Sequence, residues 1–436
     1  MKKFTINIQN IYTKVIIFIL AMASYINIMK PLTGIRWWPI LIDIMLLLLI
    51  ITGLFLINLL VKKNYFLLFS GTELFLIIFI IISFIEIFNF NVPSLGAGLE
   101  GFRKTTYQMA GFFLGVYFIK NIGQAEKIIK YLYYFSIPIL LYGIKQFFYF
   151  SSFDQKIIDA NLAGYWTYHI AGRARALSIF SGPFHFGMFS CIMVLLSLYY
   201  YMKRGKYSYL ILFLISVFGV FSSMTRTNIA ALFVSCLFFL FFIKAEKQKF
   251  FKVINIMLVL LVFILIIMLF NGFLPISRVI GSFSNISGDQ RFLNRFPGYK
   301  EMIGAFAKHP ITGYGMGSAG DTLGKLYDWK VRFTSHNLLF KILIETGVVG
   351  LVVYLLFFLA WFKKAFSLVK SNNIFVNNIS VLAISIVSVL LVNGIVGSAV
   401  EAYPINLYVW FFMGVLVRIW WLEKSQDRAE IKIANK

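Results

Sequence analysis

The residues best suited to chemistry lie in one polar stretch of the chain, from about residue 271 to residue 335. This stretch carries Arg291 and Arg295, a glycine-rich run over Gly313–Gly317, and Ser335–Asn337 at its end. Arginine binds phosphate through paired N–H donors, and a histidine such as the one at position 336 can take up or release a proton. The stretch therefore predicts an active site for a phosphate-bearing substrate.

The elements that must position this stretch are apolar spans. Of the 436 residues, 60% are hydrophobic and only 13% are charged, which is too apolar for a soluble chain. We predict an all-α polytopic membrane protein with about twelve transmembrane helices, built as a single integral membrane domain over 1–436. The 271–335 stretch is then a large extracytoplasmic loop between spans 9 and 10. The predicted spans are 12–29, 38–60, 65–88, 105–119, 131–150, 179–202, 207–223, 227–243, 253–270, 336–362, 376–397 and 404–422.

The positions of lysine and arginine predict the orientation of these spans. Positive residues in short loops tend to stay in the cytoplasm, and most of them here fall on alternate connections. Both termini are then cytoplasmic and the 271–335 loop lies outside. Arg173, Arg175 and Arg226 also fall on outer connections, against the rule, as do Lys30, Arg36, Arg103 and Lys104.

The net charge of +24 raises the question of nucleic acid. Topology and anionic lipid account for much of this excess, so we expect membrane lipid as a partner and no nucleic acid. The outer arginines need a separate reason. A phosphate-bearing substrate supplies one, although scattered, solvated charge is an open alternative.

Charged residues within the spans are costly and are therefore functional candidates. Five of them fall in the outer halves of their spans, which suggests a polar cavity open to the outside. Two of these, Lys341 and Glu345, are spaced i to i+4 and could instead neutralise one another. The five are Asp43, Glu86, Lys145, Lys341 and Glu345.

His336 is predicted to lie in the first turn of span 10, with Ser335 as the N-cap. It could accept a proton there, or it could be a satisfied structural residue. His169, His185 and His309 also map to the outer side, but they lack His-x-x-x-His or Glu-x-x-His spacing. We therefore expect no metal and no cofactor, and we interpret the glycine run as a turn.

One short helix is predicted inside the outer loop. Tyr299, Met302, Ile303 and Phe306 follow the spacing of one helical face, with Pro297 in the first turn. The glycines beyond residue 310 would end this helix. It could lie in the membrane interface or cap the bundle.

Three segments resemble the O-antigen ligase and O-antigen polymerase superfamily, whose members move glycans from undecaprenyl diphosphate on the outer face of the bacterial inner membrane. The resemblance extends over about residues 173 to 350. The first 150 residues are similar only as a string of spans. The matching segments are Arg175–Pro183, Ser223-Met224-Thr225-Arg226, and a longer set formed by Arg295, Tyr299, His309-Pro310, Gly313, Gly315, Ser335–Leu338, Glu345 and Gly347.

The sequence departs from the family pattern at several of these positions. Tyr299 stands where a tryptophan is common, and Gly182–His185 replaces the usual Pro-Asn. Arg173 duplicates the first arginine, which leaves open whether Arg173 or Arg175 is the functional one.

The resemblance implies a GT-C-like transferase that works without metal and inverts the anomeric centre. Under this hypothesis His336, Arg226 and Arg175 are catalytic: the arginines hold the diphosphate and the histidine activates the acceptor hydroxyl. The resemblance also implies a chain-length regulator and a flippase as partners. The predicted substrate-binding residues are Arg295, Arg173, Arg291, Tyr299, Asn337 and Glu345.

Three functions fit these observations. A polymerase would join lipid-linked repeat units, and a ligase would pass finished glycan to lipid A core or another acceptor. We favour the polymerase because frequent Ile, Phe, Lys and Asn hint at an AT-rich genome, typical of many capsule-forming bacteria. A non-enzymatic lipid-glycan flippase is the third; it predicts charges at mid-membrane and related halves, and neither pattern is seen.

Overall fold

The computed structural model is a bundle of α-helices with one two-stranded hairpin. It describes residues 2–35, 38–61, 71–160, 169–170, 173–244, 251, 253, 255, 295–320, 333–334, 336–397 and 399–434. Most of the predicted ninth span, Arg291 and Ser335 lie outside these residues. The prediction of an all-α polytopic membrane protein is confirmed.

The helices follow the predicted spans closely in most of the chain, and short 3-10 turns cover Glu86–Phe88, Tyr107–Met109 and Ala399–Glu401. The hairpin pairs β1 (His169–Ile170) with β2 (Arg173–Ala174). The helices are α1 (Lys2–Thr33), α2 (Trp38–Val61), α3 (Gly71–Ile85), α4 (Leu95–Thr105), α5 (Ala110–Phe118), α6 (Ile122–Phe148), α7 (Ser152–Ala160), α8 (Pro183–Arg204), α9 (Tyr207–Ser222), α10 (Arg226–Phe242), α11 (Arg295–Phe306), α12 (Leu338–Val369), α13 (Ile374–Gly394) and α14 (Ile405–Ala434).

Six described helices are long and apolar enough to cross a membrane, and three shorter apolar helices accompany them. The predicted fourth span is the clearest departure. Apart from Thr105, the last residue of α4, only Ala110–Phe118 is α-helical there, and nine residues of α-helix rise about 14 Å, less than half of the hydrocarbon thickness. The residues before it form a 3-10 turn and the separate helix α4, which the sequence analysis did not predict.

The core of the bundle is formed by α8, α13 and α14, whose side chains are buried on nearly all sides. The short helix α5 packs along α14 through glycines on both helices. A Cβ atom on Gly111 or Gly414 would collide with the main chain of the opposite helix. Such close backbone approach is a common way to associate helices in lipid, where apolar burial alone gives little driving force.

The two ends of the bundle differ in their charged groups. At one end Lys203 pairs with Glu126, and Arg418 donates to the carbonyl of Ile119 at 2.6 Å. The opposite end, here called the loop end, carries the Arg103–Asp43 ion pair at 3.1 Å and the residues discussed below. Charged residues of the predicted cytoplasmic loops therefore lie at one end of the bundle, and charged residues of the predicted outer loops lie at the other end.

The helix predicted inside the outer loop is present as α11, with Pro297 in its first turn. Met302 is buried, and Tyr299 stacks on Phe340 of α12 with ring centroids 5.1 Å apart. Ile303, assigned to the same face, is instead 56% exposed, and Ala305 takes its place in the contact. The helix caps the start of α12.

A break divides α12 at Gly347, which has φ 64° and ψ −170°. In an unbroken helix the N–H of Val348 would donate to the carbonyl of Ile344. Here Val348 N donates to Pro310 O at 2.8 Å, and Ile344 O accepts from Tyr314 N at 2.8 Å. The 310–314 turn therefore inserts into the helix and satisfies both groups that the break exposes.

Replacing Gly347 with alanine should destabilise the protein by about 1–3 kcal/mol, because a Cβ is unfavourable at this φ and would strike Ile311 O. The melting temperature in detergent or nanodiscs checks this. Gly304→Ala is the matched control, since its φ is not left-handed and nothing lies within 4 Å of its added Cβ. Equal melting temperatures for the two variants would contradict the inserted-turn arrangement.

Candidate functional site

Two segments that are fifty residues apart in sequence meet at Arg175. Its side chain is 8% exposed, Nε donates to Ser223 O at 3.0 Å, and Nη2 donates to Thr225 Oγ1 at 2.7 Å. The main chain supports the contact, because Ala176 N donates to Ser222 O at 3.0 Å. Arg175 is thus fixed beside the segment that leads into Arg226, at the start of α10 and half-buried.

The first turns of α8 and α10 lie next to these two arginines. Asn228, in the first turn of α10, donates from Nδ2 to the carbonyl of Phe184 in the first turn of α8 at 3.0 Å. Neither helix has a side-chain N-cap, since position 182 is glycine and the hydroxyl of Thr225 bonds Arg175 and Ser223 O instead. Helix N-termini carry partial positive charge and attract anions. We call Arg175, Arg226 and these two first turns the cationic corner.

A buried polar network of hydrogen bonds supports the turn that carries Arg175. Gln146 of α6 accepts from Leu177 N at 3.2 Å and donates to Ser178 O at 2.9 Å, so its amide pairs with the main chain in both directions. It also donates to Asp154 at 2.9 Å. Burial alone would raise the pKa of Asp154, but hydrogen bonds from Lys145, Ser151 and Tyr142 outweigh it and lower the pKa to about 2.

His336 lies before α12 and not in its first turn. The helix begins at Leu338, and its N-cap is Asn337, whose Oδ1 accepts from Leu339 N at 2.9 Å and Phe340 N at 3.0 Å. The prediction of His336 as a first-turn residue, with Ser335 as the cap, is therefore wrong. His336 instead takes a left-handed conformation, with φ 41°, and is partly buried.

The connection between α13 and α14, residues 395–404, links His336 to the cationic corner. Asn337 Nδ2 donates to Ile395 O at 2.9 Å, so this connection runs beside the histidine. Two residues further on, Gly397 lies against the ring of Phe184 in the cationic corner; an added Cβ would be 3.2 Å from that ring. The structure thus brings His336, Arg175 and Arg226 to the same end of the bundle around one shared segment.

A comparison with known protein families finds a match in the part of the chain that contains Arg226 and His336. Residues 211–355 match the family model described as O-antigen ligase. This match supports assignment to the O-antigen ligase and O-antigen polymerase superfamily. The resemblance inferred from the sequence is confirmed, and the family indicates an enzyme of glycosyl transfer. No curated protein matches the chain.

The O-antigen ligase segment contains Arg226 and His336 but not Arg175, which joins it only through the folded structure. The main-chain atoms of Arg295 begin α11, and those of Arg173 pair with Ile170 in the hairpin. The side chains of Arg173 and Arg295, like Arg291, are outside the described part, so their roles stay predictions. Tyr299 faces Phe340 and not the cationic corner directly.

Glu345, predicted to bind substrate, is fully buried. Its Oε1 accepts from Lys341 Nζ at 2.6 Å and Gly317 N at 3.0 Å, and its Oε2 accepts from Thr105 at 3.1 Å. Lys341 and Glu345 therefore neutralise one another, which is the alternative that the sequence analysis left open. The expected open cavity is not seen around these two residues.

Lys341 joins this pair to the α13–α14 connection. Its ammonium also forms an ion pair with Glu401, 2.9 Å from Oε1, and donates to Ala319 O, so it has three partners within the protein. We call Lys341, Glu345 and Glu401 the buried triad. It holds the glycine run, the end of α4 and the residues beyond Gly397 against the first turns of α12.

Sequence reasoning missed several supporting residues. Gln146 had a weak signal, since it is a polar residue within an apolar span. Glu401 had none, because its partner is distant in sequence, and Thr225 appeared only as part of the Ser223–Arg226 motif, without its contact to Arg175. Among the described residues, no group of three or more His, Cys, Asp or Glu side chains is arranged to hold a metal ion.

Replacing Lys341 with methionine should destabilise the protein by about 3–5 kcal/mol, because it leaves two buried carboxylates without their cation. Thermal unfolding and expression level measure this effect. Adding Glu345→Gln and Glu401→Gln to the same chain should restore part of the loss. The exposed Lys308→Met is the control, and a single Lys341→Met variant as stable as that control would contradict the triad's role.

Proposed function

We propose that the chain is a polysaccharide polymerase that joins undecaprenyl-diphosphate-linked oligosaccharide repeat units at the outer face of the inner membrane. The observation that carries the proposal is the cationic corner: Arg175 bonded to the Ser223–Thr225 segment, with Arg226 and two uncapped helix N-termini beside it. This arrangement concentrates positive charge where a diphosphate can be held. The match of residues 211–355 to the O-antigen ligase family model supports lipid-linked glycan as the donor.

In the proposed reaction, a hydroxyl of one repeat unit attacks the anomeric carbon of the sugar attached to the second lipid diphosphate. A new glycosidic C–O bond forms, the C–O bond to the diphosphate breaks, and the anomeric configuration inverts. Undecaprenyl diphosphate leaves with the electron pair of the broken bond. The proton of the attacking hydroxyl passes to the imidazole of His336.

The leaving diphosphate gains negative charge as the bond breaks. Arg175 and Arg226 stabilise that charge, and Arg295 is proposed to add a third cation. Because Arg175 is already fixed by Ser223 and Thr225, the site would spend little free energy in reorganising during the reaction. The diphosphate is a good leaving group whose charge is held by cations, so the proposed step requires no protonation of it.

Ligation of finished glycan to lipid A core or another acceptor is the alternative. Both reactions use the same donor and differ in the acceptor. The composition of the chain favours the polymerase, for the reason given above. The chain-length regulator and the flippase remain proposed partners.

His336→Ala should reduce turnover by about 10²–10³-fold, the usual effect of removing one such group from a transferase site. Mass spectrometry of lipid-linked glycans in cells carrying the variant gives the readout. Single repeat units accumulating on lipid would support the polymerase, whereas long chains on lipid would indicate the ligase. A profile unchanged from the parent strain would remove His336 from the mechanism. Lys308→Ala, exposed at the same end of the bundle, is the control.

Gln146 is a positioning residue for Arg175 in this proposal. Gln146→Leu removes both of its bonds to the Leu177–Ser178 main chain, about 2 kcal/mol of neutral hydrogen bonds, and should lower kcat by roughly tenfold with little change in KM. Gln155→Leu on the exposed side of α7 is the matched control. A Gln146→Leu enzyme that folds and turns over at the parent rate would show that the turn does not need this support.

A further inference from the structure

The helix α4 has eleven residues and three distinct faces. Small residues on one face, Ala97, Gly98 and Gly101, are buried against the rest of the protein. The charged residues Glu100, Arg103 and Lys104 occupy a second face. Leu95, Leu99 and Phe102 form the third, at the i, i+4, i+7 spacing of a single stripe.

The third face is apolar and largely uncovered by the described part of the chain. Leu95 is 56% exposed and Leu99 is 49% exposed, and the turn before the helix presents Phe88 and Phe90 in the same way. Exposed leucine and phenylalanine side chains in one stripe mark a surface that binds something apolar. In water this face would be a liability for aggregation.

The surface continues directly from a predicted membrane span. The last turns of α3 expose Ile81, Phe84 and Ile85 on their outer side, and Phe84 contacts both Phe88 and Phe102 edge-on. The apolar stripe of α4 is therefore an extension of the lipid-facing side of α3. The occupant that the α3 surface already requires, the hydrocarbon edge of the bilayer, is the one that fits the stripe of α4.

The charged face of α4 fits the headgroup level of the same leaflet. Arg103 bonds Glu100 and Asp43, and Lys104 lies 4.0 Å from Glu100. These side chains remain partly exposed, between one fifth and one third of their surface. An amphipathic helix with leucine on one side and Lys or Arg on another lies in the membrane interface with its axis along the surface.

We propose that α4 and the Phe88–Phe90 turn are an interfacial element, seated in the outer leaflet with Leu95, Leu99 and Phe90 among the acyl chains. This element would fix the depth of the glycine run, because Gly101 packs directly on the main chain of Met316 and Gly317. The buried triad binds the same run through Gly317. The triad also contacts the α13–α14 connection beside His336 through Glu401, so the proposed active site would lie at the level of the lipid phosphates.

The test measures the surroundings of a single dye and needs no substrate, so its result is independent of the proposed activity. Leu99→Cys carries an environment-sensitive fluorophore in nanodiscs of phosphatidylethanolamine and phosphatidylglycerol. The two native cysteines, Cys191 and Cys236, are buried, and the unsubstituted protein serves as the labelling blank. Ile81→Cys on α3 is the lipid control, and the exposed Lys308→Cys is the water control.

We expect the dye at Leu99 to resemble the dye at Ile81. Its emission should be blue-shifted, iodide should quench it several-fold less than the dye at Lys308, and phospholipids spin-labelled near the headgroup should quench it strongly. Strong iodide quenching at Leu99 would overturn the proposal. Shielding from both quenchers would also overturn it, because another protein surface would then cover the stripe. Leu95→Cys repeats the test if Leu99→Cys does not fold.

Discussion

Main-chain N–H and C=O groups in an apolar bundle must find partners inside the protein, and the break in α12 is organised by this constraint. Opening a helix at Gly347 exposes the carbonyl of Ile344 and the N–H of Val348, and lipid offers neither a donor nor an acceptor. The turn around Pro310 and Tyr314 supplies both. The 310–314 turn is thus an integral part of the helix that it precedes.

The buried triad extends the same constraint to charge. Burying Lys341, Glu345 and Glu401 gains little net stability over an apolar core, because desolvation offsets much of the attraction. Such a group does specify position, since each charge tolerates few arrangements of its partners. Here the partners come from α4, the glycine run and the α13–α14 connection, three segments that are far apart in sequence. The triad is therefore better explained by the placement of these segments than by stability alone.

Much of the architecture could be predicted because it depends on local composition. Long apolar runs predict spans, and proline and glycine predicted the limits of α11. The N-cap of α12 could not be predicted in the same way. Ser335 and Asn337 are both good caps, and the choice of Asn337 is stabilised by Ile395 O, almost sixty residues away. Glu345 misled for a related reason, since an acidic residue in a span looks the same whether it faces a substrate or a buried lysine.

The helix α4 was missed because its apolar residues were too few to suggest a span, although their spacing is that of an interfacial stripe. The two arginine motifs fared better: Arg175 and Arg226 were singled out because they break the orientation rule, and the fold joins their segments. The hydrogen bonds of Gln146 to the Leu177–Ser178 main chain could not be predicted from the sequence, because they depend on how α6 packs against that turn.

Backbone strain marks the same three segments independently of any family argument. In the described part of the chain, the non-glycine residues with positive φ are Ser178, Met224 and His336. One follows Arg175, one precedes Arg226, and one is the proposed base. A left-handed conformation at such residues costs about 1–3 kcal/mol each and persists only where surrounding contacts impose it. Those contacts are visible: Gln146 and Ile139 bond Ser178, Arg175 bonds both sides of Met224, and the bond to Ile395 O anchors Asn337, the residue after His336. Glycine would adopt a positive φ at these turns with less strain. The stability of the fold therefore does not explain why other residues stand there. Holding particular side chains in fixed directions is a sufficient reason for the cost, and a site that must meet developing charge without rearranging has that requirement.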